Sequence, residues 1–215
     1  NDAVEMEKLL GGTSKSLFHT VHTHRLYDED VTKEKLDAMF ADIGRKTKRE
    51  DVFILFVAGH GITNEKDGAY YYLPVNFRYT GDDAIATQGV SMTDFKKYLA
   101  KIQAMKSLLL LDTCNSGSFV EAIASRGVLE KTAINKLTRA VGRATIVASS
   151  KNQVALEGYE GHGVFTYTLL EALKGKAADK EGKITINGVA TYVEELLPQL
   201  TYKKWGYEQI PQKTL

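Results

Sequence analysis

Apolar and polar positions along the chain fall into two periods that take turns. Residues 2–10 carry apolar side chains near helical spacing ("VEMEKLL"), and Gly11-Gly12 marks a stop. Residues 17–27, "LFHTVHTHRLY", alternate and are rich in Thr and Val, which predicts a strand. Thr32 then caps a helix over "KEKLDAMFADIGRK", with Leu36, Met39, Phe40 and Ile43 on one face. "DVFILFVAGHG" reads as a fully buried strand closed by glycines, and "GAYYYLPVN" as a shorter one closed by Pro74. Ser91 and Asp94 have the spacing of a capping box ahead of a helix ending near Gln103. A second buried strand, "SLLLLDTC", follows, then a mixed stretch over 120–141 that is helical in part. A strand over 144–150, a helix over 163–175, and a short strand with a last helix over 183–200 complete the chain. Strands apolar on both sides need helices on both faces. The alternation therefore predicts an α/β fold around a mainly parallel sheet. No internal repeat and no linker-like tract interrupts it.

Length and charge narrow the picture. A chain of 215 residues suits one domain with a full core. A net charge of +1, with both signs dispersed, offers no footprint for nucleic acid or an anionic membrane. The longest apolar run, "VFILFVAG", is far short of the roughly 20 residues that span a bilayer, and nothing reads as a signal peptide. One cysteine excludes an internal disulfide and fits a reducing, cytoplasmic setting.

That cysteine is where the chemistry starts. In an open parallel sheet, reactive side chains collect at the carboxyl ends of the strands. Two strand ends qualify: "FVAGHG" brings His60 and "LLLLDTCNSG" brings Cys114. If these strands are neighbours, both side chains emerge at one edge. A free thiol has a pKa of about 8.5, so an imidazole that takes its proton makes it a nucleophile, then returns the proton to a leaving amine. Gly59 and Gly61 allow a sharp turn and close approach. The N–H groups of Gly61 and Cys114 together suit an oxyanion hole. Taken singly, a lone Cys is usually a small buried hydrophobe and a lone His a loop residue; the pairing at two strand ends is what favours chemistry.

"FILFVAGHG" followed by "LLLLDTCNSG" resembles the caspase-like cysteine peptidases, nearest to the metacaspase and bacterial orthocaspase branch. His60 lies 54 positions ahead of Cys114, close to the roughly 50 typical of caspases. "NDAVEMEKLL", "VTKEKLDAMF", "GHGVFTYTLLEAL" and "EQIP" match further segments, so the resemblance spans nearly the whole chain. It implies a three-layer sandwich, one peptidase domain over 1–215, and a further strand ahead of Asn1. It implies His60 as general base, Cys114 as nucleophile through a thioester acyl-enzyme, and Gly61 with Cys114 as oxyanion donors. Asp112, where animal caspases have Gln, is the metacaspase pattern. The resemblance places Asp112 and Asp2 in the primary specificity pocket, which then favours Arg or Lys at the cleaved position. The simpler readings are a strand-end acid bonded to nearby N–H groups for Asp112 and a helix N-cap for Asp2. Ser149 and Ser150 border the expected substrate groove. Arg126, before Gly127, is a candidate for self-cleavage, which would make the chain a zymogen.

Other signals weigh less. Asp82-Asp83 offers oxygen ligands for calcium, which activates some metacaspases, but the acids those enzymes use lie at a later helix start where this chain has only Asp94. No cofactor is therefore expected to be required, calcium remaining an option, and no metal site is assigned. His19, His22 and His24 read as a solvated strand face. Expected partners are protein or peptide substrates, with no nucleic acid and no membrane, and a sensor or regulatory domain fused outside this chain. Two rivals stand beside this reading: an Asp-specific peptidase on the same fold, and an idle caspase-fold interaction module.

Overall fold

The computed structural model describes residues 1–114, 142–150 and 153–215. A four-stranded sheet forms its centre, in the order β1 (Val52–Gly59), β5 (Lys106–Thr113), β6 (Gly142–Val147), β7 (Gln212–Thr214). The first three strands are parallel and β7 is antiparallel to β6. β1 and β5 pair over eight positions, from Val52↔Lys106 to Gly59↔Thr113.

Strand parity sorts the core into two layers. Phe53, Leu55, Val57, Leu109 and Leu111 face α2 (Lys33–Lys46) and α4 (Met92–Ala100), packing on Phe40, Phe95, Tyr98 and Leu99. Ile54, Phe56, Leu108 and Leu110 face α1 (Asp2–Thr13), α5 (Val164–Glu171) and α6 (Ile186–Trp205), packing on Met6, Phe165, Leu169 and Val193. The result is a helix–sheet–helix sandwich, as strands apolar on both sides require. Thr32 caps α2 through the Lys35 N–H, and Ser91 with Asp94 forms the reciprocal capping box of α4.

Several elements differ from the sequence expectation. α1 continues through Gly11-Gly12 to Thr13, whose hydroxyl donates to the Leu9 carbonyl. Residues 17–27 form no strand. A cavity of about 880 Å³ lies between that segment and β1, lined by Phe18–Tyr27 on one side and Val52–Ala58 on the other. With a gap in place of a neighbour, the alternating residues have no ladder to join. β1 has no strand on its outer side among the described residues. The tyrosine strand β3 (Tyr70–Tyr72) joins not the central sheet but a small antiparallel one, between β2 (Gly61–Thr63) and β4 (Val90–Ser91). The short helix α3 (Asp82–Gln88) and the closing strand β7 were not foreseen.

One buried side chain ties the last segment to the rest. Gln209 is fully buried. Its Oε1 accepts from the Leu156 N–H at 2.7 Å and its Nε2 donates to the Ala148 carbonyl at 2.8 Å. Gln209→Ala orphans both backbone groups. An expected loss of about 2–4 kcal/mol, or roughly 5–12 °C in melting midpoint for a chain of this size, is measurable by calorimetry or thermal circular dichroism.

Candidate active site

The parallel register sets the site. Gly59 and Thr113 are the last paired residues of β1 and β5, so His60 and Cys114 are the next residue of each strand end. Both continue the parity of Asp112, which pairs with Ala58. His60 is exposed and Cys114 is partly buried, packed beside the α1–α5–α6 core layer. The parallel ladder thus brings an accessible imidazole and a half-sheltered thiol to adjacent strand ends.

The glycines beside them have separate tasks. The turn falls at Gly59, whose φ is +147°. Gly61 is needed for close approach: a Cβ there would lie 2.7 Å from the Cys114 carbonyl oxygen and 2.7 Å from the Tyr70 ring. The Leu73 N–H donates to the His60 carbonyl at 2.9 Å, one step beyond the Gly61↔Tyr72 pair. That ladder pattern makes Gly61 and Tyr72 a non-hydrogen-bonded pair, and it directs the Gly61 N–H away from β3. From below, Tyr70 Oη and Thr113 Oγ1 share a hydrogen bond of 2.8 Å, and burial pushes the Tyr70 phenol well above its ordinary range.

Ser149 is fully buried, and its hydroxyl reaches the Thr113 carbonyl at 3.4 Å. Its place is under the strand end, bracing β5 against β6, and not on the open face where substrate contact was expected. Ser150 is partly exposed; its N–H meets Gln153 Oε1 at 3.4 Å. Arg126 lies outside the described residues.

Two acids distant in sequence meet beside this edge. Asp112 is 8% exposed. Its Oδ2 accepts from the Thr166 N–H at 3.1 Å and the Thr166 hydroxyl at 2.5 Å, at the first turn of α5. The bond to a backbone N–H is the one that the simpler reading of this residue described. Burial pushes the Asp112 carboxyl up to about 7; the Thr166 bonds oppose that rise, and the charges of Asp2 and Glu157 add to it. Asp2 is the first residue of α1 and not its N-cap, which is Asn1. Its side chain turns toward α5: Oδ2 accepts from the Gly163 N–H at 3.1 Å and Oδ1 meets His162 Nδ1 at 2.7 Å. A Cβ on Gly163 would stand 2.6 Å from Asp112 Oδ2 and 3.2 Å from Asp2 Oδ2, so the two oxygens lie within about 6 Å of each other. His162 belongs to this cluster and was not singled out in the sequence, although it lies inside "GHGVFTYTLLEAL". Nothing local marks it, since its partner is 160 positions away.

The remaining candidates are engaged elsewhere. Asp83 pairs with Lys66 at 2.8 Å and Asp82 accepts from the Tyr79 hydroxyl at 2.8 Å, so each acid has a protein partner. His19, His22 and His24 line the cavity along β1 from a segment that itself forms no strand.

The caspase domain family model matches the chain over residues 1–215. The chain belongs to the caspase family. It is a cysteine-type peptidase by membership, a hydrolase whose substrates are proteins, and its mainly parallel sheet between helices is the fold of that family. No curated protein matches it. No helix among the described residues is long and apolar enough to cross a membrane.

Proposed function

We propose that this caspase-family chain is an endopeptidase of the metacaspase and orthocaspase kind, cleaving after Arg or Lys through Cys114 and His60. In this reading His60 takes the thiol proton and the sulfur attacks the scissile carbonyl. The tetrahedral oxyanion is received by the N–H groups of Gly61 and Cys114. Collapse breaks the C–N bond, the leaving amine takes the proton from His60, and a thioester remains on Cys114. Water, deprotonated by His60, then attacks the thioester and releases the acid and the thiol. No metal or cofactor enters any step.

The observation that carries the specificity is the convergence of Asp2 and Asp112 at the strand end that bears Cys114. Two carboxylates within about 6 Å, one of them buried, repel each other and gain from a cation placed between them. Arg meets such a pair as a fork and Lys as a point charge. The same acids oppose an Asp side chain. The cavity along β1 supports the further strand that the resemblance places ahead of Asn1.

The test is a set of fluorogenic tetrapeptides identical except for Arg, Lys, citrulline or Asp at the cleaved position. Arg and Lys peptides are expected to exceed the citrulline and Asp peptides in kcat/KM by about 100-fold or more, the value of one or two charge-assisted contacts. A preference for Asp overturns the two-acid pocket. No hydrolysis of any member by folded protein favours the interaction module.

A further inference from the structure

Asp2 reaches the pocket from the very start of a helix. It is the first residue of α1, where helix ends fray, yet its carboxylate has to face Asp112 across the start of α5. One bond, from the Gly163 N–H, would leave that carboxylate free to turn about χ2, a soft torsion. The second bond, from His162, falls on the other oxygen. Two bonds on two oxygens fix the plane of the group. A carboxylate can only accept, so His162 Nδ1 carries the proton of that bond. An imidazole can donate there without bringing a charge. Lys or Arg in its place would set a permanent cation against Asp2 and compete with the incoming side chain.

The loop is built to hold that ring still. Tyr159 and His162 exchange two backbone hydrogen bonds, of 2.9 and 3.0 Å, as a closed hairpin pair. Between them Glu160 has φ +51° and Gly161 has φ +83°. Positive φ at both central positions is the requirement of a type I′ turn, which Gly meets freely and Glu does not. A non-glycine residue kept in that region is strain that the surroundings must impose. Here the imposing contacts are visible: the Tyr159 ring packs edge-on against Tyr167 at 4.8 Å, and Lys204 lies over Tyr159 while donating to the Gly158 carbonyl at 2.5 Å. The His162 side chain is 18% exposed, sheltered but not sealed.

We propose that His162 is a specificity-determining positioning residue: through its Nδ1–H it fixes the Asp2 carboxylate toward Asp112 and thereby sets how well the acid pair receives a cationic side chain. The inference rests on the Arg/Lys reading above. It assigns His162 no contact with the reacting atoms; the residue acts through Asp2. Its loss therefore affects recognition of the charged side chain and leaves the chemical step alone.

The test compares wild type, His162→Ala and His162→Asn on the Arg and citrulline peptides. Asn keeps a donor near the position of Nδ1, whereas Ala has none. His162→Ala is expected to raise KM for the Arg peptide about tenfold, with kcat and the citrulline KM each changed less than twofold. His162→Asn is expected to restore the Arg KM to within about threefold of wild type. Circular dichroism melts of both variants check that they are folded; if His162→Ala does not fold, His162→Asn against wild type and His162→Leu carries the comparison. A KM that rises equally for both peptides, a loss in kcat alone, or no change while wild type still prefers Arg to citrulline overturns the role of His162 and leaves the Arg/Lys reading standing. A wild-type protein that does not distinguish Arg from citrulline overturns both.

Discussion

Cys114→Ala is expected to abolish peptide hydrolysis while the melting curve stays within a few degrees of wild type. The thiol is a small group, partly buried beside the α1–α5–α6 layer, and trimming it to a methyl costs about 1 kcal/mol or less. Without the sulfur no acyl-enzyme forms, and turnover falls by roughly 10⁴-fold or more. His60→Ala is expected to lose nearly as much, because a nucleophile and its base act as a unit and the effects of removing them do not add. The His60 side chain is exposed, and its backbone bond with Leu73 does not depend on the imidazole, so this variant is also expected to keep its fold. Burst kinetics with an activated ester separate the two: His60→Ala can still acylate slowly, Cys114→Ala cannot. Hydrolysis at the wild-type rate by a folded Cys114→Ala protein would exclude the mechanism.

Asp112→Asn is expected to raise KM for Arg and Lys peptides by about 10–100-fold, equivalent to one charge-assisted contact of roughly 1.5–3 kcal/mol, and to confer no cleavage after Asp. The amide oxygen can still accept from Thr166, so the start of α5 is preserved and only the charge is removed. Two pH signatures accompany the change. The folded carboxyl titrates at about 7, above an unfolded value near 4. Native protein therefore binds more protons than unfolded protein between those values, and the contribution of Asp112 to stability declines as pH rises through that window. Asp112→Asn removes this slope, so the variant gains on wild type in thermal stability as pH goes from 5 to 8. A bound guanidinium favours the charged carboxylate, so Arg binding below about pH 7 releases a proton. The wild-type KM then falls as pH rises toward 7 and levels above it, whereas the Asn variant shows a smaller pH dependence. An unchanged KM in Asp112→Asn would remove this residue from the specificity pocket.

What the sequence made legible was the part of the fold with long, uniform patterns. "VFILFVAG" and the "LLLL" of 108–111 are apolar at every position, which dictated two covered faces and hence the layered α/β arrangement. The capping residues Thr32, Ser91 and Asp94 are local signals and appeared where expected. The segment 17–27 has strand-like alternation, but a strand exists only with a partner, and its neighbour across the gap is 880 Å³ of cavity. β2, β4 and β7 have two or three residues each, too few for any period to show. The site was legible in halves. His60 and Cys114 were paired by their places at two strand ends and by the 54 positions between them, and the resemblance assigned their roles together with those of Asp2 and Asp112. Gln209 and His162 were beyond reach because a buried amide and a loop imidazole look ordinary until the backbone groups and the distant carboxylate they serve are in place. Ser149 shows the opposite case: a small hydroxyl after a strand looks available, and here it is fully buried with its hydroxyl on the Thr113 carbonyl.

The eight-position register between β1 and β5 has a consequence for the moment at which this peptidase comes into being. Synthesis runs from the N-terminus at about 5–20 residues per second. His60 therefore leaves the ribosome seconds before Cys114, and neither can find the other through any local turn or hairpin. Parallel pairing between segments this far apart forms only with closure of the sheet, one of the slower events in folding. Any activity that needs His60 and Cys114 together therefore waits for the β1–β5 ladder to close.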